Sequence, residues 1–199
     1  MNSKGFRWYF DRLMDEFWPA ADNFDLARGV NTSGRVWHFR LDIPFRSRRE
    51  AVTYQPVDPK VFVEAMKWLP LEAHGWPFVD LGCGKGRGLL LAKEAGFERI
   101  IGVEFSPSLA AIARRNVSAY PQISVVQGDA SKFVFPSGPV VIYMYNPFGP
   151  KIIQQVIENT KRESVSGYLL YVTPVHDDVL AQHDLRVAKK AGGYTVWQL

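Results

Sequence analysis

Short apolar runs alternate with stretches of helical periodicity through most of this chain. Phe78-Val79-Asp80-Leu81, Ile100 to Glu104, Ile123 to Gln127, Val140 to Tyr145 and Ser166 to Val172 are too brief for helices, and each is bounded by turn-forming residues, so each is read as a strand. Between them Leu89-Leu90-Leu91-Ala92 continues as a helix. Ser106 caps another, with Pro107 in its first turn, and Ile152, Ile153, Val156 and Ile157 recur at helical spacing. His176 to Gln182 reads as a weak helix. Leu185 to Ala188 and Tyr194 to Leu199 read as a final hairpin that turns at Ala191-Gly192-Gly193. Strands alternating with helices from Phe78 onward predict an α/β fold with a mostly parallel sheet.

The first 57 residues follow a different pattern. Phe6, Phe10, Leu13 and Phe17 share one helical face, with Arg7, Asp11, Arg12, Asp15 and Glu16 on the others, which predicts an amphipathic helix from Gly5 to Trp18 stopped by Pro19. Such a helix could lie on a membrane or bind a partner, but its mixed charges favour a cap over the following domain. Asn31-Thr32-Ser33-Gly34 suggests a turn, and Val36 to Leu41 a strand. Asp58-Pro59 then opens a helix whose Phe62, Ala65, Met66 and Leu69 form one apolar face. The expected division is a cap and recognition segment at 1–57 and a ligand-binding domain at 58–199, together one globular unit.

The chemistry concentrates where the first strand ends. Asp80-Leu81-Gly82-Cys83-Gly84-Lys85-Gly86-Arg87-Gly88 is an acid followed by glycines at alternate positions, a loop that can approach a ligand closely and that delivers the amides of the next helix toward it. A dinucleotide fingerprint would place a glycine where Arg87 stands. Asp80 would repel a diphosphate and attract a cationic amino-acid group. Cys83 is a small filler of the loop. The second strand ends in Glu104, which can accept ribose hydroxyls, and Phe105 is a candidate apolar wall. The third ends in Gly128-Asp129-Ala130, and the fourth in Asn146-Pro147-Phe148, at the strand tips where open α/β sheets bind ligands.

In this order the motifs resemble the class I S-adenosylmethionine-dependent methyltransferases, bacterial members most of all, from Phe78 to Phe148. The resemblance implies a Rossmann-like seven-stranded sheet with an antiparallel last strand. It implies that Asp80, Gly82, Cys83, Gly84 and Gly86 hold the methionine end of S-adenosylmethionine, Glu104 its ribose, and Phe105, Asp129 and Ala130 its adenine. Tyr54, just ahead of the domain, is the candidate to fold over the methionine end, and equally a tyrosine filling space between cap and core. Asn146-Pro147-Phe148 resembles the Asn-Pro-Pro-aromatic motif of amino-directed members, with one proline fewer, and would hold the acceptor. It can also be read as a strand-ending turn.

Composition bounds the remaining choices. At 199 residues, 47% hydrophobic and 22% charged, the chain can bury a sizeable core. No apolar run is long enough to cross a bilayer and no signal-peptide core is visible, so a cytoplasmic protein is expected. One cysteine excludes an internal disulfide, and four histidines without ligand spacing point to no metal. The net charge of +4 permits a nucleic-acid partner without indicating one. Arg46, Arg48 and Arg49 beside Phe45 form a tight basic cluster, either a solvated loop or a contact for phosphate or another acidic group. The resulting expectation is a methyltransferase acting on a nitrogen of a protein side chain or small molecule, with S-adenosylhomocysteine as product. A cofactor-binding sensor or scaffold and a nicotinamide-dependent oxidoreductase are the alternatives.

Overall fold

The structure is a computed structural model and describes residues 21–199. The helix expected from Gly5 to Trp18 lies outside the described residues. Seven strands among them form a single sheet: β1 (Phe78–Leu81), β2 (Ile100–Glu104), β3 (Ile123–Gln127), β4 (Pro139–Tyr145), β5 (Ser166–Val172), β6 (Arg186–Ala191) and β7 (Tyr194–Gln198). Their spatial order is β3-β2-β1-β4-β5-β7-β6. The first five pair in parallel, and β7 runs antiparallel between β5 and β6. From β1 the chain winds outward to β3 and then returns to lay β4 against β1. That reversal leaves a crevice at the carboxyl ends of the central strands.

Among the described residues six helices accompany the sheet: α1 (Asn23–Arg28), α2 (Pro59–Met66), α3 (Arg87–Glu94), α4 (Pro107–Asn116), α5 (Pro150–Arg162) and α6 (Asp177–Ala181). All four residues of β1 are buried, as expected for a parallel strand covered on both faces. Its side chains alternate between two cores. Phe78 packs on one face with Phe62 of α2, Leu89 of α3 and Phe97. Val79 and Leu81 pack on the other with Ile153 and Ile157 of α5. Asp58 caps α2 by accepting from the Lys60 amide, and Ser106 caps α4 by accepting from that of Leu109. The α/β architecture and the antiparallel last strand are therefore as expected.

The expected strand from Val36 to Leu41 is a correction. Only Val36 pairs, in an isolated bridge with Tyr54, and His38–Arg40 is a single 3-10 turn. Trp37 and Phe39 remain exposed, so alternation here buries no second face and nothing favours a longer ladder. Residues 21–57 otherwise follow the carboxyl end of the sheet through α1, a second 3-10 turn at Phe45–Arg49 and an isolated bridge between Ala51 and Phe148.

Candidate active site

A cavity of about 340 Å³ opens at the carboxyl ends of β1, β2 and β4 and is closed on its outer side by residues 41–57. The loop after β1 makes its floor. Gly82, Gly84 and Gly86 all have left-handed backbone angles, with φ of 83°, 55° and 89°, a region in which a side chain is strained. Two of them also permit close approaches from elsewhere in the chain. A Cβ at Gly82 would stand 2.4 Å from Pro147, and one at Gly84 would stand 2.3 Å from the ring of Tyr54.

Asp80 is 3% exposed and lines the cavity, and no donor among the described residues hydrogen-bonds its carboxylate. Burial, and secondly the nearby charge of Glu104, push its carboxyl well above the usual aspartate range. The hydroxyl of Tyr143, its neighbour in the register between β1 and β4, is likewise buried without a partner among the described residues. Two polar groups with no partner among the described residues thus face one space, where a buried polar group ordinarily finds a partner.

Glu104 is held differently. Its two carboxylate oxygens accept from the amides of Gly84 and Ser106, each at 2.8 Å, tying the glycine loop to the start of α4. Burial raises its pKa, and the backbone amides oppose that rise. Each oxygen keeps a lone pair for a ligand. Phe105 packs beside Leu41, Ile43 and Leu109 and gives this end of the cavity an apolar wall. Asp129 caps the 3-10 turn at Ala130–Lys132 through the amide and hydroxyl of Ser131, both accepted by Oδ1, while its side chain and Ala130 line the cavity.

Asn146 stands at the tip of β4 with φ 38°, one of three non-glycine residues with left-handed angles among those described. Such strain costs about 1–2 kcal/mol and persists where the surroundings impose it. Its Oδ1 accepts from the Tyr171 hydroxyl at 3.4 Å, and its amide donates to the Val172 carbonyl at 3.1 Å. Phe148 pairs with Ala51, and the Gly149 amide donates to the Glu50 carbonyl at 2.8 Å, so the N-terminal segment is stitched to the strand tip. Glu50 Oε2 is buried there without a hydrogen-bond partner among the described residues.

Twelve of the thirteen residues singled out from the sequence border this cavity: Tyr54, Asp80, Gly82, Cys83, Gly84, Glu104, Phe105, Asp129, Ala130, Asn146, Pro147 and Phe148. Gly86 does not. It caps α3 and lies against Ala113, so its left-handed geometry serves the entry of the helix. Sequence reasoning missed Leu41, Ile43, Glu50, Gln55 and Tyr143. Gln55 donates to the Tyr145 hydroxyl at 3.0 Å, a contact across ninety positions that no local signal announces.

Arg87, which breaks the dinucleotide pattern, has a structural role of its own. Its guanidinium is buried, pairs with Asp22 at 2.6 Å and Asp25 at 3.4 Å, and donates to Thr32 Oγ1 at 2.7 Å. Lys85 donates to the Ser33 carbonyl at 2.6 Å. Both cations of the glycine loop therefore fasten residues 22–33 onto it. Among the described residues no cluster of histidine, cysteine, aspartate and glutamate could hold a metal ion, and no helix is long and apolar enough to cross a membrane.

Residues 78–163 match the family model described as a methyltransferase domain. A curated relative, 2-phytyl-1,4-naphtoquinone methyltransferase of Thermosynechococcus vestitus, is 43% identical over 68 residues, which cover 33% of this chain and 30% of the relative. The chain thus spans under a third of that relative's length. Among solved structures, a SAM-dependent methyltransferase from Aquifex aeolicus aligns over 71% of this chain and 98% of its own, at 14% identity and a TM-score of 0.53. The 23S rRNA methyltransferase ErmE aligns over 72% of this chain and 68% of its own, at 14% identity and a TM-score of 0.54. These two likenesses establish the fold. Residues 78–163 thus match a methyltransferase domain, set within the fold that these two structures share.

Proposed function

We propose that the protein transfers a methyl group from S-adenosylmethionine to an acceptor nitrogen presented at Asn146–Phe148. The observation that carries this reading is Asp80, a buried carboxylate without a donor among the described residues, in a cavity shared with Glu104 and Asn146. A cationic ligand relieves the cost of burying that charge, whereas a diphosphate would add to it.

The residues present fit the cofactor. Asp80, with the Tyr143 hydroxyl beside it, would hold the ammonium of the methionine end, and Tyr54 would cover it. Glu104 would take the ribose hydroxyls. Phe105 and Leu41 would sandwich the base, with Asp129 accepting from its amino group. When bound, S-adenosylmethionine supplies a methyl carbon on a sulfonium, which leaves as S-adenosylhomocysteine.

The protein's part is then orientation and exclusion of water. The side-chain oxygen of Asn146 and the carbonyl of Pro147 can accept N–H bonds from the acceptor, which leaves its lone pair free to point at the methyl group. Phe148 walls the site. The free oxygen of Glu50, at the Gly149 turn, can take up the proton that the methylated nitrogen releases.

Calorimetry with S-adenosylmethionine and with NAD tests the binding half of this proposal. Binding of the first without the second is expected, and the reverse would overturn it. Incubating a cell extract with the enzyme and methyl-labelled cofactor tests turnover. Transfer of label is expected, and binding without any transfer would leave a sensor.

A further inference from the structure

The formal charge of the chain is strongly localised. Residues 35–49 carry Arg35, Arg40, Arg46, Arg48 and Arg49 against Asp42 alone, so these fifteen residues account for the whole net charge of +4, and the rest of the chain is balanced. Asp42 does not neutralise them, because its carboxylate is taken up by the hydroxyl of Ser106 and the amide and hydroxyl of Ser108 at the start of α4. Arg35, Arg46 and Arg49 are exposed, and none has an acidic partner among the described residues. Arg48 turns inward and donates to the Leu41 carbonyl at 3.4 Å, which ties the 3-10 turn at Phe45–Arg49 to the strap of residues 35–44 before it.

The same fifteen residues present three large rings to solvent. Phe45 is 80% exposed, Phe39 53% and Trp37 38%, and the Trp37 and Phe39 rings lie nearly parallel with centroids 6.1 Å apart. Leu41, Ile43 and Arg46, interleaved with them, line the cavity, so the surface forms its rim. Guanidinium groups interleaved with flat exposed rings suit a partner that alternates phosphates with planar bases. An acidic protein surface would use the arginines and leave the rings without a role.

We infer that residues 35–49 are a docking surface for single-stranded nucleic acid, which delivers the acceptor to the cavity beside it. The inference rests on the proposed function for what happens inside the cavity, and makes a nucleic acid, rather than a protein side chain or free small molecule, the carrier of the acceptor. Arg35, Arg46 and Arg49 contact phosphates, and Phe39 and Phe45 stack on bases. A duplex, whose bases are already stacked, gives the rings nothing to hold.

The test is fluorescence anisotropy with a labelled twenty-nucleotide RNA of mixed sequence, the same strand annealed to its complement, and a polyglutamate peptide of matched charge. The single strand should bind most tightly, with affinity falling as salt rises. Arg49→Ala should reduce the salt slope by about 0.7, the value for one phosphate contact on a single strand. Phe45→Ala should weaken binding by roughly fivefold or more, the loss of one stacked base, without changing that slope. Both substituted residues are exposed, and a thermal melt on each variant confirms folding. Failure of the single strand to bind at low salt would overturn the inference. So would equal binding of polyglutamate with Phe45→Ala silent, which would indicate an acidic protein partner, and so would undiminished RNA binding by both variants. Calorimetry with S-adenosylmethionine on the same proteins should be unchanged, and loss of that binding in the wild type would be a failure of the proposed function instead.

Discussion

The ring of Tyr54 lies on Gly84, so closely that a methyl group added to the glycine would stand 2.3 Å from two ring carbons. The tyrosine is fixed there by its hydroxyl, which donates to the Thr32 carbonyl at 2.6 Å. Gly84→Ala should therefore cost roughly 1–3 kcal/mol in overpacking, besides about 1–2 kcal/mol for a left-handed alanine. Thermal unfolding of Gly84→Ala, Tyr54→Ala and the double variant checks this. The double variant should recover the overpacking part, and strict additivity would mean that the two do not touch.

Asp80 carries a pH signature. Its folded-state pKa is raised well above 3.8, so its contribution to stability is fully present below 3.8 and is lost as pH rises through the folded value. Asp80→Asn should accordingly stabilise the ligand-free protein at pH 7, and the advantage should vanish as pH falls below 3.8. The same variant should lose about tenfold or more in affinity for S-adenosylmethionine, the scale of a charge-assisted hydrogen bond. Melting curves against pH, paired with calorimetry, separate the two effects. A variant that is less stable at pH 7 would contradict the buried-charge account.

Arg87 should behave as the fastening of residues 22–33. Replacing it with methionine breaks a buried ion pair, with an expected loss of about 3 kcal/mol, the low end for such pairs because Asp22 is half exposed. Burial pushes the Asp25 carboxyl up, but hydrogen bonds from Thr32 and Ser33 outweigh this and hold it below the usual value. Its stabilising part is present above 3.8 and is lost as pH falls through the folded pKa. Amide exchange at Thr32 and Ser33, which donate to Asp25 at 2.8 and 2.7 Å, should accelerate in Arg87→Met and in acid. Unchanged exchange in the variant would show that the segment is held by other contacts.

At Asn146 the useful substitution is glycine. The residue has φ 38°, so alanine would add backbone strain to the loss of the amide, whereas glycine removes the amide alone. Asn146→Gly should retain S-adenosylmethionine affinity within about threefold and lower methyl transfer by at least a hundredfold, a loss of about 3 kcal/mol in the transition state. Calorimetry and label transfer measure the two quantities. Parallel loss of both would assign the residue to the cofactor side.

The elements of this fold were legible because parallel strands buried on both faces write themselves as short apolar runs, and caps such as Asp58 and Ser106 mark helix starts within one turn. The strand-tip residues Asp80, Glu104, Asp129 and Asn146 were legible for the same reason, since position at a strand end depends only on local pattern. The strap was not: Val36 to Leu41 alternates like a strand, yet only Val36 pairs, because whether a strand forms depends on an available edge. Nor could local pattern show that Gly86 serves α3 and Ala113 while Gly82 and Gly84 sit under Pro147 and Tyr54. Local order along the chain determined the strands, the helices and the acids at their tips. Tertiary structure alone decided that Arg87 clamps Asp22 and Asp25, that Gln55 reaches Tyr145, that Asp80 is buried, and that the Tyr143 hydroxyl beside it has no partner among the described residues. Backbone preferences act over a few residues, whereas these contacts join side chains tens of positions apart and exist only once the sheet has brought its strand ends together.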